Sequence, residues 1–147
     1  MQLAKLAQPQ DISVLLIEDS QPDATAITKA MIYGESLYNF KITHKNSLSE
    51  GLGFLGSSPA DVILLDLNLP DAKELGAIDK VHKLYPDLPI VVVSGYSDMD
   101  IVHQALHKGA QEFLIKGECS GVAIRQSIYQ AIVRKKIEQS YKRGDKL

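Results

Sequence analysis

The chain has little of what would take it outside the class of small globular domains. Only one of its 147 residues, Cys119, is a cysteine. A lone thiol cannot close an intrachain disulfide, so a reducing cytoplasm is the expected setting. With no identifiable base beside it, Cys119 is not read as a reactive nucleophile. No apolar run approaches the length needed to span a bilayer, and residues 1–10 lack the apolar segment of a secretion signal. Neither membrane insertion nor export is therefore expected. Internal repeats, low-complexity tracts and Gly/Ser linkers are missing, as are a glycine-rich phosphate loop and a Ser-His-Asp set placed by a nucleophile elbow. What remains is one domain with enough apolar content for a proper core.

Charge is balanced overall and unevenly placed. From Arg134 onward six basic residues face two acidic ones, a local charge of +4, while the preceding part, with ten basic and sixteen acidic residues, carries −6. No aromatic stacking platform or recognition motif accompanies the basic end, so a solvated helix face is expected there rather than direct nucleic-acid binding.

Five short apolar runs are present: residues 12–17, 40–44, 61–65, 90–93 and 112–115. Four of them, bounded by polar or turn residues, suit strands buried on both faces of a parallel sheet; the second alternates instead. Helical stretches separate them. One follows Ser20-Gln21-Pro22-Asp23 and ends at Gly34, and one opens at a capping box, Ser47-Leu48-Ser49-Glu50. A third covers residues 73–84, a fourth residues 98–108, and a fifth starts near Ser120. Strand-helix alternation of this kind predicts a doubly wound α/β unit. The fifth helical pattern runs on through Tyr141, beyond what one sheet can cover, with Ile128, Ile132 and Ile137 as an apolar edge. That overhang is expected to serve as a connector or a homodimer contact.

The polar residues closing four of the runs carry the chemistry. Glu18 and Asp19, Asp66, Ser94 and Lys116 each end a strand, and in open α/β sheets the ligand site lies beyond the carboxyl ends of the strands. Three carboxylates, a hydroxyl and an ammonium would converge in one crevice. Crowded acids are costly without a cation, and hard oxygen ligands suit Mg²⁺ with a phosphoryl group.

At these residues the sequence resembles the receiver domain of two-component response regulators. The resemblance covers about residues 12–134 and rests on Leu16-Ile17-Glu18-Asp19-Ser20, on Leu64-Leu65-Asp66-Leu67-Asn68-Leu69-Pro70-Asp71, on Val93-Ser94-Gly95, and on Gly109 through Lys116. It implies a flavodoxin-like, five-stranded parallel sheet of order 2-1-3-4-5, with a receiver over residues 11–134 and a basic helical extension over 135–147. It implies Asp66 as phosphoacceptor and Asp19 as the main ligand of Mg²⁺. Glu18 would act on the metal directly or through water, and Asn68 through its backbone carbonyl. Lys116 would pair with Asp66 and then with the phosphoryl group. Ser94 would bond a phosphoryl oxygen, and Phe113 would hold the aromatic switch position. The implied partners are a histidine kinase or histidine phosphotransfer protein, and a downstream protein or fused output domain. The only chemistry implied is the domain's own phosphorylation and slow dephosphorylation.

Two positions depart from the family. Gly117 follows Lys116 where proline, often after a cis bond, is usual; a cis bond before glycine is expensive. Phe113 replaces the more familiar tyrosine, so the switch ring carries no hydroxyl. Other signals are weak. His103 and His107 stand at i and i+4, but Gln104 occupies the place where a zinc protease needs glutamate, so an exposed or partner-contacting face is expected. His44 and His82 are expected to be structural or exposed.

An aspartate-nucleophile phosphatase of the haloacid dehalogenase type is the enzymatic alternative. It needs a second aspartate two residues after the nucleophile, and Asn68 stands there. A phosphate-independent binding module is disfavoured by the intact acidic set. No helix-turn-helix, cyclase or kinase signature follows before Leu147. The expectation is therefore a single-domain relay, or the N-terminal receiver module of a larger sensor kinase or output protein.

The resemblance also places Asn68 and Tyr96 beside the acceptor, where they would tune access of the hydrolytic water. Tyr96 is bulky and should slow loss of the phosphoryl group. Tyr96→Glu is expected to speed dephosphorylation about tenfold, equivalent to about 1.4 kcal/mol of barrier. An unchanged decay rate in that variant would move control of the water to the Lys116-Gly117 loop.

Overall fold

The structure is a computed structural model, and it describes residues 10–33, 38–73, 75–95 and 98–144. Gly34 and Tyr96 lie outside these ranges. Five strands form one parallel sheet: β1 (Gln10–Ile17), β2 (Tyr38–Lys45), β3 (Val62–Leu65), β4 (Ile90–Ser94) and β5 (Glu112–Ile115). Their order is β2-β1-β3-β4-β5, as expected. Five helices alternate with them: α1 (Gln21–Ile32), α2 (Leu48–Leu55), α3 (Gly76–Leu84), α4 (Met99–His107) and α5 (Gly121–Lys142).

The alternation of side chains along each strand divides the core into two layers. Val14, Leu16, Val62, Leu64, Val91 and Val93 pack against Ala24, Ile27 and Met31 of α1 and Ile124, Ile128 and Ala131 of α5. Leu15, Ile17, Ile63, Leu65, Ile90 and Val92 face Leu48 of α2, Ile78 and Val81 of α3 and Ala105 of α4. With helices on both faces, the inner strands can be apolar throughout, and every residue of β3 is buried.

Helix starts follow the local sequence. Ser20, Ser47, Asp98 and Ser120 each cap a helix with a side-chain oxygen. Three N–H groups at the start of α2 find side-chain partners. Ser47 Oγ accepts from the Glu50 N–H at 3.1 Å, while the Asp71 carboxylate accepts from Leu48 at 2.9 Å and Ser49 at 2.8 Å.

Asp71 explains one correction. The helix expected over residues 73–84 starts only at Gly76, because Asn68–Leu69 and Ala72–Lys73 form a short antiparallel hairpin around Pro70 and Asp71. The turn of this hairpin places Asp71 against the start of α2. A second correction concerns the apolar edge of α5. Ile128 is fully buried in the core, Ile132 packs partly against it, and only Ile137 of the three is exposed.

The C-terminal half of α5 is docked. Lys135 is buried, Glu138 accepts from the Gln111 side chain at 3.2 Å, and Gln139 donates to the Asp87 carbonyl at 3.3 Å. Arg134 donates to the Gln111 carbonyl at 3.0 Å and to Glu112 at 2.7 Å. The 134/135 boundary therefore falls inside one unbroken helix. Near its other end, Gly121 lies so close to the Ala30 carbonyl that a Cβ would collide with backbone. Arg125 closes the end of α1 there, donating to the carbonyls of Ala30 at 2.9 Å and Tyr33 at 2.8 Å.

Asp71 supplies a stability test. Slight burial works against its charge, but the N–H groups of Ser49, Leu48 and Asp71 itself outweigh that and hold its carboxyl below the ordinary 3.8. A depressed carboxyl stabilises the fold above its unfolded value and loses that contribution as pH falls through its folded value. Asp71→Ala is expected to cost about 1–2 kcal/mol at pH 7, as for other helix caps. In urea melts, the gap to the wild-type protein should narrow below pH 3.8. A pH-independent gap would contradict the capping role.

Candidate phosphoryl and metal site

The site is built where parallel strands end. Asp66 continues β3, with its N–H bonded to the Ile17 carbonyl at 3.0 Å, and the Glu18 N–H bonds the Lys45 carbonyl at 3.0 Å. On the other side the Lys116 N–H bonds the Ser94 carbonyl at 2.8 Å. These bonds extend the sheet ladder by one rung and bring residues almost 100 positions apart into one cleft. The cleft has a volume of about 300 Å³ and is lined by Glu18, Asp19, Ser20, Asp23, Asp66, Asn68, Ser94, Gly95 and Lys116.

Glu18, Asp66 and Ser94 are buried, and Asp19 is exposed at the cleft mouth. Carboxylate oxygens of Glu18, Asp19 and Asp66 lie within 4.8 Å of one another. The Lys116 ammonium stands 2.7 Å from Glu18 Oε2, 2.9 Å from Asp23 Oδ2 and 3.5 Å from Asp66 Oδ1. The contact with Glu18 is close but off-axis, so this buried oxygen has an ion-pair neighbour and no aligned hydrogen-bond donor. The bond to Asp23 is aligned. Glu18 Oε1 accepts from the Ser20 N–H at 3.1 Å.

Burial is the main force raising the Glu18 carboxyl, and the neighbouring Asp66 charge adds to it. Lys116 and the Ser20 N–H pull the other way, and the carboxyl settles at about 7, from an ordinary 4.5. Burial also disfavours charge on Lys116, but Glu18, Asp23 and Asp66 together outweigh it and hold the ammonium above its usual value. Four acids against one base leave excess negative charge in a confined space. With a buried oxygen lacking an aligned donor, the set fits a hard divalent cation.

Of the expected site residues among those described, all but Phe113 line the cleft; Tyr96 lies outside the described residues. Phe113 is half-buried on β5 and lines a separate groove of about 540 Å³ between α4, β5 and α5. The loop after Lys116 turns without proline. Gly117 takes φ +81°, the positive value a type II turn requires at its third residue, and the Glu118 N–H bonds back to the Ile115 carbonyl at 3.1 Å.

Sequence reasoning missed Asp23. It stands in the helix start Ser20-Gln21-Pro22-Asp23, and nothing local signals that it meets Lys116, 93 residues away. His44, expected to be structural or exposed, is half-buried with its Nε2 2.6 Å from the Glu18 carbonyl oxygen. His103 and His107 are exposed on α4. Cys119 is half-buried, lies 3.5 Å from the Ile115 carbonyl, and has its thiol pushed upward by burial, the reverse of an activated nucleophile.

The profile of the response regulator receiver domain matches residues 14–128. The chain belongs to the response regulator receiver family. Curated relatives of this receiver include the C4-dicarboxylate transport transcriptional regulatory protein DctD of Rhizobium meliloti, 32% identical over 71% of the chain and 22% of DctD. The transcriptional regulatory protein KdpE of Staphylococcus aureus is 31% identical over 70% of the chain and 42% of KdpE. The receiver thus matches less than half the length of these relatives. Among solved structures, the signal receiver domain of a LuxO repressor protein from Vibrio parahaemolyticus superposes with a TM-score of 0.74. It is 24% identical, over 88% of this chain and 95% of that one. Response regulator Rcp1 in its Mn(2+)-bound form superposes with a TM-score of 0.65 at 19% identity, over 80% and 90%. The phosphatase alternative falls away with the family assignment.

The crowded charge predicts a pH-dependent stability in the metal-free protein. A carboxyl raised above its unfolded value contributes stability that is intact below 4.5 and lost as pH rises through about 7. Glu18→Gln, measured in chelator, should therefore stabilise the receiver at pH 8 by roughly 1–3 kcal/mol and be close to neutral at pH 5. Lower stability of the variant at pH 8 would mean that the ion pair with Lys116 outweighs the desolvation of Glu18.

Proposed function

We propose that this receiver is a phosphorylation-driven signalling switch in which Asp66 accepts a phosphoryl group from a phosphohistidine of a kinase or phosphotransfer protein. The observation that carries the reading is the convergence of Glu18, Asp19 and Asp66 with Lys116 at adjoining strand ends. A Mg²⁺ ion held by Glu18, Asp19, Asp66 and the Asn68 carbonyl would supply charge neutralisation at the phosphoryl oxygens. The Mn(2+)-bound form of the similarly folded Rcp1 supports a divalent cation in this fold.

The chain's own residues do the rest. An Asp66 carboxylate oxygen attacks phosphorus in line, forming a P–O bond as the P–N bond to imidazole breaks, and the electron pair leaves with the imidazole nitrogen. Lys116, already beside Asp66, moves onto a phosphoryl oxygen and balances its charge. Ser94, buried at the end of β4, donates its hydroxyl to another. Gly95 leaves the cleft open to the donor, and Asn68 flanks the path of the hydrolytic water. No further turnover is expected of the domain.

Motion of Ser94 toward the phosphoryl group opens space beside β5, and Phe113 turns into it, reshaping the face formed by α4, β5 and α5. Phosphorylation would bias a pre-existing equilibrium between the two arrangements. That face, with the exposed His103 and His107 nearby, would carry the downstream partner. A fused output is the second reading, favoured by relatives such as DctD and KdpE, in which the matched stretch is 22% and 42% of the protein. In that reading the receiver spans residues 11–134, and the basic part of α5 leads onward or pairs with a second copy. Among the described residues no helix is long and apolar enough to cross a membrane, and a cytoplasmic site of action is part of the proposal.

Acetyl phosphate with Mg²⁺ is expected to add one phosphoryl group, and Asp66→Asn to abolish the mass increase. Labelling that survives in the variant would overturn the assignment. Beryllofluoride should shift amide signals around Phe113 as well as at the cleft. Shifts confined to the cleft would count against the switch.

A further inference from the structure

We propose that Asp23 is a positioning residue that holds Lys116 in its resting place and thereby sets how readily the site captures a phosphoryl group on Asp66. The inference rests on the function proposed above and concerns the regulation of the same site.

An ammonium has three N–H donors. At rest one of them is committed to Asp23 by an aligned bond of 2.9 Å. Glu18 is closer, at 2.7 Å, but off-axis, and Asp66, the residue Lys116 must serve, is at 3.5 Å, beyond a normal hydrogen bond. Lys116 is therefore drawn toward α1 rather than toward the acceptor.

Asp23 is well placed to do this. It sits in the first turn of α1, where the helix dipole favours an anion, and its own N–H is fixed by Ser20 Oγ at 3.3 Å. Among the described residues the carboxylates that can converge on a metal are Glu18, Asp19 and Asp66; Asp23 is not one of them. A cation shared by Glu18 and Asp66 would compete with Lys116 for those two acids. Asp23 would then be the anion still free to hold the ammonium. A phosphoryl group on Asp66 must win Lys116 from Asp23, so Asp23 favours the unphosphorylated state. Its side chain is 45% exposed, which keeps the effect modest.

The test uses the 147-residue chain with Mg²⁺ and beryllofluoride as phosphoryl mimic, read by amide NMR, together with the Lys116 ammonium resonance in the metal-free protein. Asp23→Asn should tighten beryllofluoride binding roughly two- to fivefold, the size expected from releasing one partly exposed ion pair. It should also shift the metal-free Lys116 resonance. Asp23→Glu should restore both readouts toward the wild-type protein. Unchanged or weaker binding in Asp23→Asn would overturn the inference. So would tighter binding with an unmoved Lys116 resonance, since the effect would then be general removal of negative charge. Failure of the wild-type protein to bind beryllofluoride would instead remove the function proposed for the site, and this inference with it.

Discussion

The site depends on the last rungs of a parallel ladder. The bonds from Asp66 to Ile17 and from Lys116 to Ser94 lock the ends of β1 with β3 and of β4 with β5, and the β3–β4 pairing joins the two pairs. Polar side chains that follow four apolar runs must therefore emerge at one edge. A one-residue slip in any strand would send its side chains to the opposite face and break the acid-base set. The two-sided core prevents that, because each inner strand is buried against helices on both faces.

That rigidity supports an unfavourable charge arrangement. Glu18 and Asp66 are buried together, and the one ammonium is shared among three acids at unequal distances. The fold holds Glu18, Asp19 and Asp66 close together at the strand ends, an arrangement that costs stability in the absence of a compensating cation. Under the function proposed here, stability and signalling would be set by the same few side chains.

Most of this architecture was legible because it is periodic or local. Apolar runs gave the strands, and serine or aspartate before an apolar pattern gave four helix starts. The strand-end position of Glu18, Asp19, Asp66, Ser94 and Lys116 gave the cleft. What escaped was long-range and polar. Asp71 reaches from a hairpin turn to cap α2, and the hairpin shortens the helix expected to follow it. Asp23 stands in a helix start and meets Lys116 only through the fold. Ile128 had the spacing of an exposed edge and lies in the core, because α5 presents that stripe to β3, β4 and α1. Periodicity tells that a helix has an apolar face; it does not tell where the sheet beneath it ends.

The docking of α5 has a mechanical side. Its 22 residues form a single rod about 33 Å long. Along its length the rod is bonded to the end of α1, to the residues leading into β5 and to the segment before β4. A rod held near both ends is a brace and not a free lever. It ties the end of α1 to the loops that enter β4 and β5 on the opposite edge of the sheet, so any displacement of one of these must strain or break the bonds at the others.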